Sequence, residues 1–126
     1  MSVVVSTPDR FLPPLAVSPE EPAAEAARMI ASRRVGAVPV QDRHGRVVGV
    51  VSEHDIVRVV AHRAQGLRGL AVEEVMTRHD AAIHPGTPRD AAIAMMRALG
   101  LRHAPVCCAE GRLLGMVGLG DLTAPA

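Results

Sequence analysis

Sliding the chain against itself by 66 positions lays residues 17–57 over 83–123 without a gap. The identities are Pro19/Pro85, Pro22/Pro88, Ala26/Ala92, Met29/Met95, Pro39/Pro105, Val40/Val106, Gly45/Gly111, Arg46/Arg112, Gly49/Gly115, Val51/Val117 and Asp55/Asp121. They fall on Pro, Gly and core-type residues, the positions that fix backbone shape and packing, so the chain is a duplicated structural unit. At 126 residues it has the length of one compact domain and is short for two independent ones. The two copies must therefore share a core.

That core has to be aliphatic. The chain is 48% hydrophobic, yet Trp and Tyr are absent and Phe11 is the only aromatic residue. Binding of single-stranded nucleic acid by stacking is disfavoured for the same reason. All 14 basic residues are Arg, set against 13 acidic ones, and a net charge of +1 provides no field to attract DNA or a membrane surface. No apolar run approaches the roughly 18 residues of a spanning helix, and residues 1–10 lack the regions of a signal peptide. The expectation is a cytoplasmic protein with no nucleic-acid and no membrane partner. Cys107 and Cys108 are neighbours whose side chains point to opposite faces of an extended segment, which supports neither a disulfide framework nor a metal hook.

Each repeat reads as a short extended segment (15–18; 81–84), then a helix with Pro22 or Pro88 at its first position, where a missing N–H costs nothing. Thr87 suits the N-cap of the second of these helices. Ser18 with Glu21 offers a capping box that would start the first one earlier. Ala26, Met29 and Ile30, and Ala92, Met95, Met96 and Leu99, recur at helical spacing and form a buried face. A hairpin follows in each repeat: strands 37–41 and 46–51 around Asp42-Arg43-His44-Gly45, and strands 104–108 and 112–117 around Ala109-Glu110-Gly111. A second helix is expected from Glu53 to about Gln65, carrying Ile56, Val57, Val59 and Val60. Its counterpart in the second repeat can hardly form so close to Pro125 and Ala126. Residues 72–76 read as one helical turn after a Gly-flanked link at 66–69.

This α+β order, together with Ala37-Val38-Pro39-Val40, Gly45-Arg46-Val47-Val48-Gly49-Val50-Val51-Ser52-Glu53-His54-Asp55 and Val72-Glu73-Glu74-Val75-Met76-Thr77, resembles a tandem pair of cystathionine-beta-synthase (CBS) domains. The resemblance covers roughly residues 12–122 and divides the chain into 1–66, the first repeat with an N-terminal extension, and 67–126, the second with a truncated last helix. It implies two repeats packed about a pseudo-twofold axis with two clefts between them, and a module that forms homodimers.

The resemblance further implies an adenosine-type ligand such as AMP, ADP, ATP or S-adenosylmethionine, with no required cofactor. In the Ser-x-x-Asp stretch the carboxylate would take the ribose hydroxyls and the hydroxyl residue would approach phosphate. A carboxylate can accept both hydrogen bonds of a vicinal diol, and a helix N-terminus favours an anion. An apolar cradle of Val38, Pro39, Ala104 and Pro105 would hold the base. The first site offers Ser52, His54 and Asp55, preceded by Gly36 and Ala37. The second offers Arg102, His103 and Asp121, with Gly118 in place of the serine and Gly120 in place of His54. Family geometry would bring Ser18 to the second site and His84 to the first. Arg102 suits phosphate, and on that ground the second cleft ranks slightly higher for an anionic ligand.

Plain structural readings stand beside these. Ser52 and Asp55 have the spacing of a capping box, Arg102 could be a solvated surface charge, and His54, His84 and His103 could be bystanders. No nucleophile-base pair, HExxH or P-loop is present, so the expectation is not an enzyme. A regulatory module signalling to a separate partner protein is the leading expectation, since the residues contain no output domain. Its rival is a ligand-free dimeric scaffold with degenerate clefts, favoured by Gly36, Gly118 and the short last helix.

Overall fold

The computed structural model describes residues 5–79 and 81–124. In the first repeat, helix α1 (Ala23–Arg33) leads into an antiparallel hairpin of β1 (Ala37–Gln41) and β2 (Val47–Ser52), and helix α2 (Glu53–His62) follows at once. A single helical turn, α3 (Val72–Val75), opens the second repeat, and a short strand β3 (Thr77–Arg78) comes next. Helix α4 (Arg89–Leu99), the hairpin β4 (His103–Cys107) and β5 (Leu113–Gly118), and helix α5 (Leu119–Thr123) complete it. Both hairpins carry a register shift at the same place, Val40/Gln41 and Val106/Cys107, as a duplicated unit requires.

The strands differ from the expected spans by a residue or so: β2 starts at Val47 and runs to Ser52, β4 starts at His103, and β5 spans Leu113–Gly118. The extended segments before the helices contribute only single parallel bridges, Val17 to Val40 and Ile83 to Val106. Pro22 and Pro88 sit one place outside their helices, in the cap position with extended ψ, and make no side-chain cap. The Ser18/Glu21 box therefore does not start α1, and the Thr87 hydroxyl donates instead to the His84 carbonyl. Helix α2 ends at His62, short of Gln65. Helix α5 does form, because its first turn is held by Asp121 accepting the Gly118 N–H at 2.8 Å and needs nothing from the chain beyond it.

Of the apolar residues on the helices, Ala26, Ile30, Ala92 and Met96 are buried, and Met29 and Met95 pack at the edges of the two clusters. Leu99 is 55% exposed, because it lies on the last turn of α4, beyond the hairpin that covers Met96. On α2, Ile56 and Val59 face the first core, whereas Val57 and Val60 face outward and Val57 is 65% exposed.

The lead-in segments cross between repeats. Residues 70–78 belong by sequence to the second repeat but close the first: Ala23 donates to Leu70, Val72 donates to Glu21, and β3 pairs with β2 at Gly49 and Val50. Residues 5–11 precede the first repeat but lie on the second: Val5 N–H donates to the Thr87 carbonyl, and Thr7 Oγ1 bonds both the N–H and the carbonyl of Met116. Val5 is buried in the second core, and Phe11 is buried in the first, which also takes Met116 from β5.

A Cβ on Gly49 would stand 2.5 Å from the Thr77 carbonyl oxygen, a backbone atom that cannot swing aside. Gly49→Ala is expected to push β3 off the sheet and lower unfolding free energy by about 1–3 kcal/mol in urea titration.

Candidate ligand clefts

The first cleft opens where the β2–α2 junction of one repeat faces residues 100–103 of the other. It encloses about 620 Å³ and is lined by Ser52, His54, Asp55, Arg58, Arg102 and His103, with Thr77 and His79 at its edge. Ser52 ends β2 in an extended conformation and caps α2. Its Oγ accepts the Asp55 N–H at 3.1 Å, and Asp55 Oδ2 accepts the Ser52 N–H at 2.8 Å and the Ser52 hydroxyl at 2.9 Å. Asp55 Oδ1 accepts the Thr77 hydroxyl at 2.9 Å and an Arg58 N–H at 3.1 Å. This carboxylate is only 2% exposed, and its burial is tolerated because each oxygen accepts two bonds. The capping-box reading of Ser52 and Asp55 is thus realised in full. Arg102 is exposed at the opposite wall, and among the described residues it forms no ion pair.

His103 stands between the repeats. A Cβ on Gly36 would come 2.8 Å from its Nε2, and one on Gly118 would come 3.4 Å from its Cδ2 and 3.0 Å from Asp121 Oδ2. The two glycines that read as defects in the repeats are therefore the room this imidazole occupies. Burial lowers the His103 pKa below its ordinary 6.5; Asp121 opposes the shift, Arg10 adds to it, Glu53 opposes it and Arg102 adds to it. Cys107 is buried and Cys108 half-buried, both free thiols. Burial, with a smaller push from Cys108, raises the Cys107 thiol above its ordinary value, which makes it unreactive. Among the described residues no group of three or more His, Cys, Asp or Glu is placed to hold a metal ion.

The second cleft lies at the corresponding place in the other half, where a pocket of about 20 Å³ remains between Val35, Val38 and Pro39 of the first repeat and Gly115 and Met116 of the second. Arg10 and Phe11 of the N-terminal segment wall it, and Asp121 lies behind Arg10, outside its lining. Arg10 donates to both oxygens of Asp121, at 2.8 and 2.6 Å, and its guanidinium lies 4.5 Å over the Phe11 ring. Partial burial pushes the Asp121 carboxyl up, but the Arg10 and Gly118 hydrogen bonds and the Arg10 charge outweigh it, so the net shift is downward.

Sequence reasoning grouped Arg102 and His103 with Asp121. The structure instead puts the side chain of Arg102 in the first cleft with Ser52, His54 and Asp55, and leaves His103 between the two. Val38 and Pro39 border the second cleft, and Ala104 and Pro105, buried within β4, line neither. Ser18 and His84 line neither; the His84 Nδ1 lies 3.0 Å from the Cys107 carbonyl. The open space lies in the first cleft rather than in the second, which the sequence ranked higher. Sequence reasoning missed Thr77, Arg58 and Arg10. Arg58 was within reach, since i, i+3 from Asp55 is a helical pair, whereas Thr77 and Arg10 are far away in sequence and carried no signal.

A model of the CBS domain matches residues 5–62 and 72–124, which is most of the chain. The chain belongs to the CBS domain family. It is 33% identical over 106 residues to an uncharacterized 17.7 kDa protein of Acidianus ambivalens, covering 84% of this chain and 63% of that one. It spans only about a fifth of some longer curated relatives, such as the L-aspartate semialdehyde sulfurtransferase of Methanocaldococcus jannaschii, to which it is 26% identical over 88% of this chain. Among solved structures, the CBS-domain containing protein ATU1752 of Agrobacterium tumefaciens is 33% identical with a TM-score of 0.73, covering 86% of this chain and 84% of that one. The CBS-pair protein CBSX2 of Arabidopsis thaliana, solved in complex with AMP, is 26% identical with a TM-score of 0.70 and 90% coverage of both chains. The fold is thus that of a CBS pair, and among the described residues no helix is long and apolar enough to cross a membrane.

Three outcomes follow from this geometry. Asp55→Ala, which strips four donors of a buried acceptor, is expected to cost about 3 kcal/mol in chemical denaturation. Asp121→Ala breaks a partly exposed pair and the Gly118 N–H bond that starts α5, and should cost less, about 1–2 kcal/mol. Because His103 binds its proton less readily in the fold than in the unfolded chain, its contribution is complete above pH 6.5. It is lost as pH falls below that, by at most about 1.4 kcal/mol per pH unit. His103→Gln should flatten the stability profile between pH 6.5 and 5.

Proposed function

We propose that this CBS pair is a regulatory module that binds an adenosine nucleotide in the first cleft and signals the occupancy to a partner protein. The observation that carries the reading is an open cavity of about 620 Å³ with the N-terminus of α2 on one wall and Arg102 on the other. That volume lies in the range of small-molecule sites. A helix N-terminus and an always-charged guanidinium both favour a phosphate. The likeness to CBSX2, a protein solved with AMP, supports the same ligand class. Asp55 would meet a ribose only by exchanging the Thr77 or Arg58 bond for one from the sugar, so binding would pull on β3 and α2 together. Such a link turns ligand affinity into a shift between two arrangements of the repeats, provided the ligand favours one of them. No catalytic step is assigned to these residues, and the module is read as acting within the cytoplasm as a homodimer.

The second reading is the ligand-free dimeric scaffold. It is favoured by the completeness of Asp55's bonding without ligand and by the little open space on the side of the second cleft.

Thermal unfolding with AMP, ADP, ATP and S-adenosylmethionine separates the two. A ligand at 100 times its dissociation constant adds about 2.7 kcal/mol, several degrees in a domain of this size. The expected outcome is a rise with at least one of these compounds that Arg102→Ala reduces for the phosphate-bearing ones. No rise with any of them selects the scaffold, and a monomeric mass by light scattering would remove the dimer from either reading.

A further inference from the structure

The two clefts differ in one feature that the repeat alignment hides. In the second repeat the lead-in passes from Thr77, set against Val50, to Ile83, bridged to Val106. In the first it passes from Thr7, set against Met116, to Val17, bridged to Val40. Met116 and Val50 are repeat mates, as are Val106 and Val40, so the two paths join corresponding points. The first path is longer by four residues, ten steps against six. Most of the additional chain is exposed, residues 12–15 included, but Phe11 turns inward and is only 5% exposed, and the pocket beside it holds about 20 Å³ where the first cleft has about 620 Å³.

What the segment touches is a set of three different chemistries. Arg10 neutralises the Asp121 carboxylate with two hydrogen bonds. The Pro13 carbonyl accepts an N–H of Arg33 at 3.0 Å, occupying the guanidinium that borders this cleft. The Phe11 ring joins the first hydrophobic core, together with Val35, Val38 and Met116. A diol-binding carboxylate, a phosphate-binding guanidinium and an apolar wall are the three surfaces a nucleoside phosphate needs, and one strand of the chain's own residues satisfies all three.

We propose that residues 7–13 are a tethered competitor for a second nucleotide site: they keep the second cleft closed, and their displacement opens a site built from Asp121, Arg33 and the Val35/Val38/Met116 wall. The proposal takes its ligand class from the reading of the first cleft but concerns the other one. The competitor's hold is weak where it matters, since the Arg10–Asp121 pair is partly exposed and screened by salt. A ligand that outcompetes it would free Thr7 and Val5 as well, loosening the lead-in from β5 and changing the surface at that end of the molecule.

Isothermal titration of the full chain with AMP tests this by stoichiometry, with circular dichroism melts verifying that each variant is folded. The unaltered chain should bind one AMP, and Arg10→Ala should bind two. Gly115→Ala should also bind two, because its Cβ would run into Thr7 Oγ1 and lift the segment while leaving Arg10 intact. Arg10→Ala with Asp121→Ala should return to one. Zero for the unaltered chain and one for Arg10→Ala, lost again in the double variant, would uphold the tethered competitor and sink the first-cleft reading. Two in the unaltered chain, or no increase over it in both opened variants, would overturn the proposal.

Discussion

Val5 and Phe11 come from the segment before the first helix, yet Val5 is buried in the second core and Phe11 in the first, alongside Met116 of the last strand. Leu70, Val72 and Thr77, which introduce the second repeat, close the first in the same manner. Each repeat is left with a face of apolar surface that only a segment assigned to the other can cover. This exchange is the constraint from which the rest of the molecule follows. In a chain this short, with a single aromatic residue, neither half buries enough surface to stand alone, and crossing the lead-ins makes the two halves one cooperative unit.

The clefts are by-products of that arrangement, and their inequality shows how the lead-ins control them. Where the connecting segment is short, it contributes a hydroxyl, Thr77, to a buried aspartate and leaves the cavity open. Where it is four residues longer, it contributes a guanidinium, Arg10, to the equivalent aspartate, and only a small pocket remains beside it. The duplicated Asp therefore anchors a lead-in in both repeats. His103 lies between the two anchors, close to Gly36 and Gly118, so the charge on Asp121 and the packing of the first cleft meet at one imidazole.

Much of this was legible in the residues. The 66-residue offset identified the duplication, and Pro, Gly and β-branched runs placed both first helices and both hairpins to within a residue or so. The capping box at Ser52 and Asp55 could be read from spacing alone because its bonds are local. The last helix could not be read, because its short first turn is held by Asp121 and Gly118, and the expectation weighed length instead. Leu99 and Val57 fit a helical apolar stripe but face solvent, since a stripe's period says nothing of how far the neighbouring hairpin extends over it.

The sequence by itself determined the repeat, the elements within it, the absence of an aromatic core and the residues that carry charge near each Val-Pro or Ala-Pro strand. Those features depend on neighbours a few positions apart, where backbone geometry and side-chain type are enough. Only the tertiary structure decided which residues share a cleft: Arg102 with Ser52, Arg10 with Asp121, and Gly36 and Gly118 with His103. These contacts join positions far apart in the chain, and they arise because two weak half-cores must exchange lead-ins to exclude water, a requirement that acts on the whole chain and leaves no local trace.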